Sequence, residues 1–254
     1  MRYLFFGGQD STFAQIVLDG LIKAGFPPLA AFRDAKAPLN SEELKKLKAD
    51  FFLVAAFGKI FKKDLIAIPP KGVIGVHPSL LPKYRGPSPI QSALLAEEET
   101  GTTLFLIDEK VDHGPIVSSA QCQVSSEDTY ATLEEKLAKS SVDLILNTLP
   151  QWLADEIQPR PQKESEAAYT QKFSAEDGLV DLKNDNPKKI WLKIRALNPE
   201  PGTWAMVKLE NGRELRLKLL KADFSGNQLQ LKTVQPEGKK IMDFKDFLNG
   251  YPMI

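Results

Sequence analysis

A single cysteine, Cys122, stands in the 254-residue sequence, so no intrachain disulfide can form and a cysteine-built metal site is not expected. A reducing cytoplasm suits such a chain. Histidine is almost as scarce, with only His77 and His113. No apolar run approaches the roughly 18 residues that a membrane span needs, so no membrane association is expected. The N-terminal Met1-Arg2-Tyr3-Leu4-Phe5-Phe6 meets Gly7-Gly8 too soon for a secretory apolar region and reads as a first strand. That glycine pair is no dinucleotide fingerprint. Internal repeats and low-complexity stretches are missing as well. Net charge is zero, but unevenly so: residues 183 to 254 hold 14 Lys+Arg against 8 Asp+Glu, which is +6, and leave −6 on the first 182. A basic C-terminal portion fits either a solvated face or an anionic partner such as RNA.

What is present is an alternation of short apolar runs and helical patterns. Tyr3 to Phe6, Leu29 to Phe32, Phe51 to Ala56 and Val73 to Val76 read as strands, the last two apolar enough to be covered on both faces. Between them, Thr12 can cap a helix that Gly25 ends, and Ser41 to Lys48 forms a charged helix. A helix near Ile90 to Glu97 leads to strands at Thr103 to Ile107 and Ile116 to Val124. Ser125 with Asp128 then makes a capping-box start for a long helix to about Trp152. Strand and helix in turn predict an α/β fold with a doubly wound, mostly parallel sheet. Residues 155 to 177 are polar and proline-bearing, which predicts a surface connection. A short helix follows from Lys188 to Leu197. The tail changes to Trp204 to Leu209 and Glu214 to Leu220 around Asn211-Gly212, a type I′ hairpin signal, with a further strand at Gln228 to Val234. Three parts result: residues 1–182, a linker with a short helix at 183–202, and a small antiparallel β module at 203–254.

His77 follows an apolar run, at the C-terminal end of a sheet strand, where open α/β sheets bind ligands. The loop after it, Pro78-Ser79-Leu80-Leu81-Pro82-Lys83-Tyr84-Arg85-Gly86, is irregular and rich in hydroxyls and bases, as site loops are. Asp112 lies in the loop after the strand at Thr103 to Ile107. A carboxylate there can fix an imidazole's tautomer and stabilise its charged form, or simply start a turn before Gly114. Spacing alone does not pair it with His77. Cys122 and the three tryptophans read as packing residues.

Gly75-Val76-His77-Pro78-Ser79-Leu80-Leu81-Pro82-Lys83-Tyr84-Arg85-Gly86-Pro87-Ser88-Pro89-Ile90-Gln91 resembles the signature segment of the folate-dependent formyltransferase family. Thr100-Gly101-Thr102-Thr103 through Val111-Asp112-His113-Gly114 resembles the segment that supplies the family's aspartate. Ala56-Phe57-Gly58-Lys59-Ile60 is similar to its pterin-receiving loop. Tyr169, Ala175 to Gly178, Arg195 to Gly202 and Gln235 to Met242 match the branch that formylates aminoacylated tRNA. The resemblance implies a Rossmann-like catalytic domain followed by a small OB-like, barrel-like C-terminal domain. It implies 10-formyltetrahydrofolate as formyl donor, no metal, and the amino group of methionine on initiator tRNA as acceptor, handled by a monomer. His77 would polarise the formyl group and move protons, and Asp112 would orient His77 and accept charge from the amine. Ser79, Leu80, Leu81, Pro82, Phe57, Gly58 and Asp108 would contact the folate.

The sequence departs from the family at the third catalytic position. The family's asparagine, two residues before the histidine, is Gly75 here, which has no amide to hold a developing oxyanion. Losing one such donor costs about 10² to 10³ in rate in a comparable enzyme. A slow enzyme, a substitute donor such as Gln91, and a non-catalytic folate- or RNA-binding chain are the three readings. Transfer to an amino-sugar nucleotide is a further alternative. Arg33 to Asp50 is shorter than the family's tRNA-gripping insertion, and the C-terminal β module is also reduced. Weak, salt-dependent tRNA binding is expected.

Overall fold

A computed structural model describes residues 1–253. The chain runs β1 (Tyr3–Gly7), α1 (Thr12–Lys23), β2 (Ala30–Phe32), α2 (Ser41–Lys46), β3 (Phe51–Ala55), α3 (Lys63–Ile66), β4 (Val73–His77), α4 (Pro89–Ala96), β5 (Thr100–Leu106), β6 (Ile116–Cys122) and α5 (Tyr130–Leu153). It continues with α6 (Pro187–Leu197), β7 (Trp204–Lys208), β8 (Glu214–Ser225), β9 (Gln228–Pro236), β10 (Met242–Asp243) and α7 (Phe244–Gly250). Two compact units form. One comprises Met1–Ile90, Glu98–Ser125 and Ala131–Thr170; the other comprises Gln91–Glu97, Ser126–Tyr130 and Gln171–Ile254. Among the described residues no helix is long and apolar enough to cross a membrane.

The first unit holds a six-stranded sheet in the order β2-β1-β3-β4-β5-β6. Its first four strands are parallel, β5 is antiparallel to β4, and β6 is antiparallel to β5, so only β5 runs against the rest. β1 and β4 are buried at every residue, in keeping with the apolar runs Tyr3 to Phe6 and Val73 to Val76. Phe6 centres one face of the core, stacked on Phe32 at 4.8 Å and met by the rings of Phe52, Phe57 and Phe61. Burying each such ring stabilises the fold by about 2 kcal/mol. Ser11, rather than Thr12, caps α1 by accepting from the Ala14 amide. The long helix starts at Tyr130, five positions past the expected cap at Ser125.

In the second unit the order is β10-β9-β8-β7, all antiparallel. Leu217, Leu219, Val234 and Phe247 fill its core together with Ile190 and Ile194 of α6. That helix starts on Asn186, whose side chain accepts from the amides of Lys188 and Lys189, with Pro187 in the first turn. The hairpin at Asn211-Gly212 forms, but not as a type I′ turn. Only Gly212 has positive φ (81°), and the Leu209 amide donates to the Arg213 carbonyl, giving a three-residue loop with a glycine bulge. The two-residue turn with both φ positive lies instead at Gly226 (56°) and Asn227 (61°), joining β8 to β9.

Candidate active site

His77 is the last residue of β4, 7% exposed, at the strand end that the apolar run predicted. Its Nε2–H donates to the Tyr84 carbonyl at 2.8 Å. A neutral ring held this way carries its lone pair on Nδ1. Nδ1 faces Asp112 Oδ2 at 3.6 Å, which is ion-pair distance but too long for a direct hydrogen bond. The same carboxylate oxygen accepts the Gly86 amide at 2.8 Å. With the ring neutral, two acceptors face each other there, and a proton or an N–H donor between them would satisfy both.

Asp112 reaches this position by an indirect route. β5 is antiparallel to β4, and Ile107 still donates to Val73, the first residue of β4. The loop after β5 therefore starts at the opposite end of the sheet from His77 and must double back. Asp112 adopts a left-handed backbone (φ 47°), and the chain then returns to Leu106, whose amide donates to the Pro115 carbonyl at 2.9 Å. A side chain at Gly114 would put its Cβ 1.7 Å from the Leu106 carbonyl oxygen, so only glycine allows that closure.

Gly75 shares the His77 face of β4, two residues back, and pairs with Phe105 of β5. A Cβ there would lie 2.4 Å from the Phe105 ring. That ring also meets the imidazole edge-on, with centroids 6.5 Å apart. Phe105 thus fills the space above Gly75 that a side chain would need. Gln91, the substitute donor considered above, lies on α4 and is half-buried.

The residues expected to meet folate divide by environment. Ser79 is fully buried and donates to the Lys83 carbonyl at 2.6 Å, while its own carbonyl accepts from Thr103 at 2.7 Å. Leu81 is 6% exposed, and Leu80 and Pro82 are half-buried. Phe57 is a core ring, 3% exposed, whereas Gly58 beside it is exposed with φ at 70°. Asp108 accepts from His113 Nδ1 at 2.6 Å and from the Lys110 amide at 2.9 Å. Tyr84 and Gly86, which set the imidazole and the carboxylate by backbone atoms, carry no signal in residue type. Tyr84 also donates its hydroxyl to Glu98 at 2.8 Å, and burial, then Glu98, pushes that phenol up to about 12.

Residues 155 to 177, read from sequence as surface connection, include a segment hydrogen-bonded to Arg85, in the loop after His77, and to Ile116 of β6. Arg160 exchanges backbone bonds with Ile116, Arg85 donates to the Ala168 carbonyl, and Thr170 donates to the Arg85 carbonyl. Arg85 is fully buried, and Glu164 accepts from it at 2.7 and 3.2 Å. This bonding holds Glu164 below the usual carboxylate range. A depressed carboxyl contributes stability above its unfolded value and loses it as pH falls through the folded one. Protection of the Thr170 amide, measured by hydrogen exchange and corrected for intrinsic rate, is therefore expected to hold near pH 6 and to drop below about pH 4. Equal protection at both would contradict the pairing. Among the described residues no group of three or more His, Cys, Asp or Glu could hold a metal ion.

The mixed α/β sheet sets a buried imidazole beside a carboxylate at the end of a strand. The comparisons supply the class. Residues 6–149 match the formyl transferase family and residues 172–228 match the formyl transferase C-terminal domain. The chain is 36% identical to the methionyl-tRNA formyltransferase of Dictyoglomus turgidum over 266 aligned residues, 92% of this chain and 82% of that protein. The methionyl-tRNA formyltransferase of Clostridium thermocellum superposes with TM-score 0.69 and 17% identity over 96% of this chain and all of that one. HypX of Aquifex aeolicus, crystallised with tetrahydrofolic acid, gives TM-score 0.76 and 17% identity over 98% of this chain but only 47% of its own. The chain belongs to the formyl transferase family, and is a one-carbon group transferase.

Proposed function

We propose that this enzyme transfers the formyl group of 10-formyltetrahydrofolate to the amino group of methionine esterified to initiator tRNA, in the cytoplasm. The observation that carries the reading is the convergence of His77 Nδ1 and Asp112 Oδ2, 3.6 Å apart, in a chain with relatives named methionyl-tRNA formyltransferases. An acceptor amine presents N–H donors to both atoms. As its nitrogen attacks the formyl carbon, one proton passes to Nδ1, the bond between the formyl carbon and the folate nitrogen breaks, and the imidazole returns the proton to that leaving nitrogen. Tyr84 keeps Nε2 occupied, so Nδ1 is the ring nitrogen that shuttles. Gly75 offers no side-chain amide to the developing oxyanion, and slow transfer is the expected consequence unless another donor takes its place.

The decisive assay incubates the protein with 10-formyltetrahydrofolate and charged initiator tRNA and looks for formyl-methionine, with an amino-sugar nucleotide as the competing acceptor. Formylation of the sugar alone would overturn the tRNA reading. The +6 excess in residues 183 to 254 supports phosphate contacts. Two to four such contacts predict that tRNA affinity falls about 10- to 10²-fold between roughly 50 and 200 mM salt. A filter-binding titration at the two concentrations checks this, and an unchanged affinity would sink it.

A further inference from the structure

We propose that Gln162 is a positioning residue for formyl transfer, setting the Asp112 loop against the His77 loop. The assignment rests on the reading of His77 and Asp112 given above. Gln162 Oε1 accepts from Arg85 Nε at 3.0 Å and from Arg85 Nη2 at 2.8 Å. With the oxygen so fixed, the amide nitrogen points the other way and donates to the carbonyls of Asp112 at 2.9 Å and Gly114 at 2.8 Å. All four hydrogen-bonding positions of the amide are used. Arg85 is saturated as well: its remaining N–H groups go to Glu164 Oε1, Glu164 Oε2 and the Tyr169 hydroxyl.

The neighbours of Arg85 explain why this matters. Tyr84 supplies the carbonyl that orients His77, and Gly86 supplies the amide that holds Asp112. Gln162 therefore joins the backbone on both sides of Asp112's turn to the one residue lying between the two orienting groups. The loop it clamps has no sheet register of its own, since it doubles back from the far end of β5. No other side chain can do the same from this position. Glutamate would face two carbonyl oxygens with a carboxylate, and asparagine is one methylene short.

Two variants separate positioning from packing. Gln162→Met removes all four bonds at nearly constant volume. Gln162→Glu keeps the acceptor toward Arg85 and loses only the donors toward Asp112 and Gly114. Both are expected to lower kcat about 10²-fold, as displacement of a reacting group by an ångström does. KM for folate donor and tRNA should stay within about threefold. A role confined to holding Arg85 would leave Gln162→Glu at the parent kcat, and that result overturns the proposal. A second readout is independent of turnover. The Gly86 amide, which reports the Asp112 carboxylate directly, should exchange about tenfold faster in both variants, while the Ile107 amide in the sheet is unchanged. Unaltered Gly86 exchange refutes the positioning role even if kcat falls. If the parent protein transfers no formyl group, the functional reading fails while the exchange measurement still decides the role of Gln162.

Discussion

His77→Ala is expected to lower kcat for formyl transfer by about 10² to 10⁴, the range for removing a positioned acid–base group. KM for the folate donor should change little, because the ring is 7% exposed, held by the Tyr84 carbonyl and faces Asp112 rather than turning outward. Asp112→Asn should act in the same direction for a different reason. An amide can still accept from Gly86, so the loop stays closed, but the negative charge beside Nδ1 is gone. The comparison is steady-state kinetics on both variants, with thermal unfolding to confirm that each is folded. If His77→Ala retains the parent kcat, the imidazole is a packing residue beside Phe105 and the chemistry lies elsewhere.

Much of the sheet was legible because buried parallel strands must be apolar throughout. Tyr3–Gly7, Phe51–Ala55 and Val73–His77 announce themselves that way, and His77 at the end of the last is placed by the rule for open α/β sheets. The reversal of β5 was not legible. Thr100–Leu106 is buried at all but its last residue and reads alike in either direction, so the doubling-back of the Asp112 loop has no sequence mark. Turn type was lost for a related reason. Asn-Gly and Gly-Asn both tolerate positive φ, and the geometry is decided by strand register: a two-residue loop at Gly226-Asn227, a three-residue loop at Glu210-Asn211-Gly212. Gln162 lay hidden in a polar, proline-bearing stretch because its value is in four bonds to distant residues, two accepted from a buried arginine and two donated to backbone carbonyls.

Restoring the family's asparagine should fail as a single change and succeed as a pair. Gly75→Asn alone drives its Cβ to 2.4 Å from the Phe105 ring, which must swing away. Overpacking of this kind costs about 1–3 kcal/mol. The displaced ring already meets His77 edge-on at 6.5 Å, so the imidazole is disturbed by the same movement. The expected result is a lower melting temperature and no gain in kcat. Phe105→Val removes the atoms in the way, since the close contacts are all to ring carbons that valine lacks, while leaving an apolar β-branched residue in the strand. Gly75→Asn with Phe105→Val should then raise kcat by about 10² to 10³, the contribution of one oxyanion donor. Phe105→Val by itself should not, which separates the donor from mere relief of crowding. A gain from Gly75→Asn alone would show that the ring is no obstacle. No gain from the pair would mean that another donor already serves the oxyanion, and that glycine at 75 and phenylalanine at 105 are a matched set for packing, not a loss of catalytic machinery.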